Sequence, residues 1–199
     1  MNSHLVYAEG KAPRLEVAAG SYGPRGRGAL VTYTIVLSEF GFLLIAATSH
    51  GVCWLGIHPS AAHLESALRG DFPKAAMMRN DDAMREVAER VTAFVGGTRA
   101  SLELPLDIRA TPFQLAVWRE LCVIPRGATS SYGEIARRLG QPRAARAVGR
   151  ANGSNPLAVL IPCHRAVAAD GELTGYRWGV DCKRRLLQRE RAISDGRKT

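Results

Sequence analysis

The chain has 199 residues, 46% hydrophobic and 23% charged, the composition of a folded protein with a sizeable core rather than of a disordered or fibrous one. Its 27 Lys and Arg against 18 Asp and Glu give a formal charge of +9 and a sequence pI near 9.9, a surplus that suits a polyanionic partner such as nucleic acid. No apolar run reaches the ~20 residues of a membrane span, no basic-then-apolar signal opens the chain, and four scattered cysteines without a C-x-x-C pair argue against a disulfide framework, so a cytoplasmic protein is expected.

Residues 1–30, including "AAGSYGPRGRGAL", are rich in Gly, Ala, Arg and Pro and show little periodicity; a flexible extension is expected there. Val31 to Leu55 is rich in β-branched and aromatic residues, broken at Glu39-Phe40-Gly41 and Ser49-His50-Gly51. That pattern predicts two or three antiparallel strands with short turns. Helices are expected over Ala61–Arg69 and Asp82–Val95, the second stopped by Gly96-Gly97. "SLELPLDIR" alternates like one more strand and completes a first α/β domain over residues 31–107. His50, Cys53 and His58 make a loose cluster, short of the roughly four ligands a structural zinc takes, so no metal is expected.

A second domain is expected over residues 108–199. Its first helix opens at Thr111-Pro112, a cap followed by proline at the first helical position, and carries Phe113, Val117 and Leu121 at i, i+4, i+8. "SYGEIARRLG" and "RAARAVGRAN" read as two short helices joined at Gly140-Gln141-Pro142, a helix-turn-helix candidate. At 100° per residue Arg143, Arg146 and Arg150 share a sector of about 60°, with Ala144, Ala147, Val148 and Ala151 on the adjoining face. Three arginines suit a row of phosphates, and small side chains let a backbone come close to a surface. The plainer alternative is a solvated basic face on a core helix.

Leu157 to Ile161 is nearly pure hydrocarbon and leads into Pro162-Cys163-His164-Arg165. A cysteine reacts as thiolate and needs a base or cation nearby. His164 is adjacent, yet successive residues of an extended segment point to opposite sides, so contact would require a turn at Pro162 or a bridging water. A carboxylate usually orients such an imidazole; the candidates are Asp170, Glu172, Asp181 and Glu190, the last on a helix expected over Asp181–Ala192. Taken as a dipeptide alone, Cys-His reads more simply as a buried cysteine beside an exposed histidine.

The wider context changes that. Pro-Cys-His-Arg, Asn155-Pro156 eight residues ahead of the cysteine, and Gly-Tyr-Arg-Trp-Gly behind it occur together. In this combination the chain resembles the O6-alkylguanine-DNA alkyltransferases, most of all the C-terminal alkyltransferase domain of the bacterial adaptive-response protein, from about Val31 to Ala192. The resemblance implies an α/β (α+β) fold. A ribonuclease-H-like domain with a small antiparallel sheet would precede a mainly helical, winged-helix-like domain with the helix-turn-helix. It further implies a cytoplasmic, nucleoid-associated monomer that uses no cofactor and binds double-stranded DNA containing alkylated guanine. Such a protein rotates the damaged nucleotide out of the duplex from the minor groove and takes the alkyl group irreversibly, once per molecule.

On the same ground Cys163 would be the acceptor, His164 its base through a water, and Glu190 the group holding the histidine. Asn155 would brace the turn, and Tyr132 would hydrogen-bond the flipped base. Arg146 would enter the stack the nucleotide left, while Arg143 and Arg150 would lie along the DNA. Tyr176 and the backbone of Arg177 would line the base pocket and the backbone of Ala166 its floor; valine is common at that last position. Residues 1–30 hold no cysteine, whereas the adaptive-response protein carries a four-cysteine zinc domain, so base repair without phosphotriester repair or gene activation is expected. Two other classes compete: a sequence-specific regulator needing no Cys163, and a Cys-His hydrolase with many turnovers.

Overall fold

The structure is a computed structural model that describes residues 3–8, 13–17, 20–173 and 175–196. The chain divides into two compact units, residues 1–109 and 110–199.

The first unit is built on a seven-stranded sheet in the order β2-β1-β7-β5-β4-β3-β6. Its strands are β1 (Ser3–Tyr7), β2 (Arg14–Glu16), β3 (Leu30–Ser38), β4 (Gly41–Thr48), β5 (Gly51–His58), β6 (Ala76–Arg79) and β7 (Leu102–Leu106); helix α1 (Ala61–Asp71) precedes β6 and α2 (Arg85–Val95) follows it. The expected breaks become the two-residue connections of β3-β4 and β4-β5, and both Gly41 and Gly51 hold positive φ. At Gly51 the need is also spatial, since a Cβ there would come within 2.5 Å of the Pro105 backbone. Leu43 to Ala46 on β4 and Cys53 to Leu55 on β5 are fully buried on successive residues, so both faces of the central strands are covered. Leu64 and Leu68 of α1 pack on β4 and β5, and the Trp54 indole N–H donates to Asp71 at 2.7 Å.

Two expectations are corrected here. The small antiparallel sheet is instead a mixed one, because β6 pairs parallel to β3 and β7 parallel to β5. Nothing in "AAMMR" announces β6: Ala and Met favour helix, and only the open edge of β3 makes the segment a strand. Nor do the described residues among 1–30 form a flexible extension. Ser3–Tyr7 pairs antiparallel with β7 along its whole length, Leu5 and Leu15 are buried, and Asp107 accepts hydrogen bonds from the Ser21 amide at 2.8 Å and from the Ser21 and Thr48 hydroxyls. The edge of β7 supplies the pairing that a composition rich in Gly and Pro conceals; residues 1–2, 9–12 and 18–19 of that stretch lie outside the described residues.

The second unit holds α3 (Pro112–Cys122), α4 (Tyr132–Arg138), α5 (Ala145–Gly153) and α6 (Val180–Gly196), with a two-residue parallel ladder between β8 (Ser130–Ser131) and β9 (Ala166–Val167). Capping boxes start α3 (Thr111 with Gln114) and α4 (Ser131 with Glu134), each satisfying amides that the first helical turn leaves unpaired. The Trp118 indole donates to the Ala151 carbonyl at 2.9 Å and so fixes α3 to the end of α5. Helix α5 starts two residues later than the text suggests: Pro142 opens a turn closed by the Ala144 amide on the Gln141 carbonyl. Arg143 therefore stands in that turn, and the helical stripe is Arg146 and Arg150, both exposed. Among the described residues no helix is long and apolar enough to cross a membrane.

If β1 belongs to the sheet, Leu5→Ala lowers stability in urea by about 2–5 kcal/mol, the usual cost of a buried Leu-to-Ala cavity. An unchanged unfolding midpoint would mean that the segment is an ornament on the sheet edge.

Candidate active site

Cys163, His164 and Arg165 form a short 3-10 turn with all three side chains buried. The chain reaches it through two tight turns. Val159 has φ +65 and sits beneath a 2.7 Å bond from the Leu160 amide to the Ala158 carbonyl; Pro162 lies under a second such bond, from the Cys163 amide to the Ile161 carbonyl. A β-branched residue rarely adopts that left-handed conformation, which costs roughly 1–3 kcal/mol and persists only where the surroundings impose it. The Asn155 side chain imposes it. Its amide donates to the carbonyls of Leu157 (3.2 Å) and Ile161 (2.8 Å) and to the Cys163 sulfur (3.1 Å), while its oxygen accepts the Leu157 amide at 2.9 Å.

The turn sends Cys163 and His164 to different neighbours. His164 is completely buried, its Nε2 lies 3.0 Å from Glu190, and its Nδ1 has no hydrogen-bond partner. With Glu190 on Nε2, that nitrogen carries the proton and Nδ1 the lone pair. Burial lowers the imidazole pKa against the opposing pull of Glu190, so the ring is a neutral base at pH 7. For Glu190 burial alone would raise the carboxyl, but His164 and Arg165 together hold it far below the ordinary carboxylate range. Arg165 grips Glu190 with Nε at 3.0 Å and a terminal nitrogen at 2.8 Å, and donates also to the Ile124 carbonyl. Of the other carboxylates considered, Asp170 accepts the Glu172 amide and Asp181 pairs with Arg184, both on the surface.

Around the thiol, burial raises the Cys163 pKa, and the Asn155 amide, the Lys183 ammonium and Tyr176 oppose the rise without overcoming it. Tyr132, the first residue of α4, has its phenol raised by burial and then by Cys163. The Tyr176 phenol is raised well above its usual value by burial, then by Cys163 and Cys182. Its hydroxyl is near enough to Cys163 for the two to perturb each other, yet it is buried outside hydrogen-bonding geometry. Arg177 is exposed over the Trp178 ring at 4.9 Å, and the Ala166 carbonyl accepts the Lys183 ammonium at 2.7 Å. Arg146 and Arg150 on α5 and Arg143 before it are exposed and face outward. The assembly is a buried thiol with an amide on its sulfur, beside a neutral imidazole oriented by a carboxylate. That arrangement can generate a thiolate from a buried thiol.

Two residues of the cluster were passed over in the sequence, Arg165 and Lys183. Lys183, Leu186, Leu187 and Glu190 recur at i, i+3, i+4, i+7 on the buried face of α6. Charges on the apolar stripe of a helix are a signal that marks Lys183 together with Glu190; Arg165, in the turn itself, has no such periodic signal.

Comparison with known proteins bears on the same region. Residues 112–192 match the family model described as "6-O-methylguanine DNA methyltransferase, DNA binding domain". The methylated-DNA–protein-cysteine methyltransferase of Methanosarcina barkeri is 42% identical over 158 residues, which span 79% of this chain and 96% of that protein. This chain belongs to the methylated-DNA–protein-cysteine methyltransferase family. The bifunctional transcriptional activator/DNA repair enzyme Ada of Escherichia coli is 40% identical over 88% of this chain, which spans only half (50%) of Ada's length. The Mycobacterium tuberculosis OGT, in its structure in complex with DNA, superposes with a TM-score of 0.67 at 36% identity, over 81% of this chain and 94% of that one. The fold of this family member is accordingly the mixed α/β fold of those structures.

The sign of the pH dependence follows from the two lowered groups. Both His164 and Glu190 titrate lower in the folded chain than in the unfolded one, so acid protonates the unfolded chain first. Their stability is present at neutral pH and begins to be lost below about pH 6.5 for His164 and about pH 4.3 for Glu190. Glu190→Gln is therefore less stable than wild type at pH 7, and the gap narrows from pH 5 to pH 3 in urea titrations; a constant gap would contradict the pairing. Arg165→Met, which strands the buried carboxylate, costs about 3–5 kcal/mol at pH 7.

Proposed function

We propose that this chain repairs duplex DNA by moving the alkyl group of an O6-alkylguanine onto Cys163, once per molecule. The observation that carries the reading is the buried thiol held by Asn155 beside a histidine whose free nitrogen is fixed by Glu190. The proton of Cys163 passes through a water to His164 Nδ1. The thiolate attacks the alkyl carbon in line, the S–C bond forms, and the O6–C bond breaks with its electron pair going to guanine. Tyr132 donates a hydrogen bond to the departing base, lowering the barrier. The product is a thioether that no group of this site can cleave, and no cofactor takes part.

Because O6 lies on a base edge inside the duplex, the nucleotide must rotate out, at a few kcal/mol of lost stacking. Arg146, exposed on α5, fills the gap from the minor groove, with Arg143 and Arg150 on the flanking phosphates. Gly149 and Gly153 on the same helix have open space where a Cβ would stand, which supports close approach of the backbone to DNA. Tyr176 and the Arg177 backbone line the pocket, and the Ala166 carbonyl, with a second lone pair beside Lys183, is its floor. We read the first unit as ribonuclease-H-like and the second, with its α4-turn-α5 pair and the β8-β9 ladder, as winged-helix-like. The protein acts as a monomer at the nucleoid.

The test mixes a duplex bearing one O6-methylguanine with excess protein, followed by tryptic digestion and weighing of the peptide Ala151–Arg165. One added methylene on Cys163, ending at one event per molecule, is the expected result. An unmodified peptide with the lesion intact would leave a DNA-binding protein, and many turnovers would mean a hydrolase. Cys163→Ala keeps DNA binding and loses repair. Arg146→Ala slows repair of the duplex roughly ten- to a hundredfold, the scale of one unstacking step, and spares reaction with the free base; an equal loss on both substrates would remove Arg146 from the stack.

A further inference from the structure

Lys183 is a buried group for which the chemistry above has no use. It has no exposed surface, and its ammonium is held on the Ala166 carbonyl at 2.7 Å, three residues past Cys163. It stands two turns before Glu190 on the same buried face of α6, so one helix delivers an ammonium and a carboxylate to the short segment Cys163–Ala166. The ionised side chains among the described buried residues of this unit are Arg165, Lys183 and Glu190, two cations and one anion. Ionising Cys163 cancels the positive excess, and a buried charge is costly unless it is balanced.

We propose that Lys183 is a positioning residue of the acceptor: its buried ammonium, seated on the Ala166 carbonyl, favours the thiolate of Cys163 over the thiol. The inference rests on Cys163 being the reacting group. Asn155 from the preceding loop contacts that sulfur, and the titratable groups whose electrostatics couple to it are Tyr132 from α4, Tyr176 from the loop before α6, and Cys182 and Lys183 from α6, with His164 next to it in the chain. Burial holds both phenols and the Cys182 thiol in their neutral forms at pH 7, and His164 is neutral too. Lys183 is the cation of that set, and Cys163 in turn acts to raise the lysine pKa that burial lowers. The same ammonium disfavours a charged His164, which keeps the ring in its basic form.

The experiment uses the full chain without DNA and labels Cys163 with iodoacetamide across a pH series, reading the rate from the mass of the Ala151–Arg165 peptide. In Lys183→Met the midpoint of the rate profile moves to higher pH, labelling at pH 7 is about tenfold slower or more, and the high-pH plateau is retained. Lys183→Arg, which keeps the charge, holds the midpoint near that of wild type. A midpoint in Lys183→Met that coincides with wild type overturns the proposal, and so does an equal displacement in Lys183→Arg, which would mark a packing role.

Should Lys183→Met fail to fold, the wild-type chain gives the reciprocal measurement, because coupling between two sites acts equally in both directions. The nitrogen resonance of Lys183 titrates lower after Cys163 is blocked with iodoacetamide; an unchanged titration sinks the proposal. Labelling needs no lesion, so failure of duplex repair with a displaced Lys183→Met profile would strike the alkyltransferase reading and leave this one standing.

Discussion

The Glu190 carboxylate is the interaction on which the second unit depends. It is buried on α6, accepts from Arg165, and faces His164, both on the turn that carries Cys163. The Gly127 amide, from the loop after α3, reaches the same carboxylate at 3.4 Å. A lone buried carboxylate would take up a proton. Here one guanidinium and one imidazole keep it ionised, and in return it fixes which nitrogen of His164 is basic. Stability and chemistry thus rest on one anion, because removing it strands a buried arginine and frees a histidine at once.

The thiol poses the opposite problem. A reactive cysteine needs its anionic form, yet this thiol is buried, and burial raises its pKa. The structure opposes that rise with groups that cost little further desolvation: the Asn155 amide on the sulfur and the Lys183 ammonium held nearby on a carbonyl. Asn155 also holds two carbonyls of the loop that forces Val159 into a left-handed turn, so one side chain joins backbone strain to sulfur geometry. The strain is local and the brace is local. This lets a run of hydrocarbon residues end in a single well-placed sulfur rather than in another strand.

In the first unit, segments are recruited by the sheet more than by their own preferences. Leu5, Leu15 and Tyr22 are buried within a stretch of low complexity, and Asp107 ties Ser21 to Thr48 across long separations in the chain. β6 likewise forms on an edge that another strand provides. Both pairings are non-local, and local propensity is only a weak prior against an available edge.

Much of the chain announces itself. The breaks at Gly41 and Gly51, the Thr111-Pro112 helix start, the α4-turn-α5 pair and the Pro-Cys-His-Arg run were all legible, because caps, turns and periodicity are local rules and the motif residues lie close together in sequence. Three things were decided only by the tertiary structure. Pairing along β7 turned an apparent tail into a strand, since an edge is a property of the sheet and not of the segment that joins it. The turn at Pro142 took Arg143 off the helix, an offset of two residues that periodicity cannot resolve. Selection among four carboxylates fell to Glu190, and Arg165 and Lys183 joined the site, because α6 folds its buried face onto a segment 17 to 26 residues upstream. Local chemistry is written residue by residue; which charges meet in the dark of the core depends on where the chain returns.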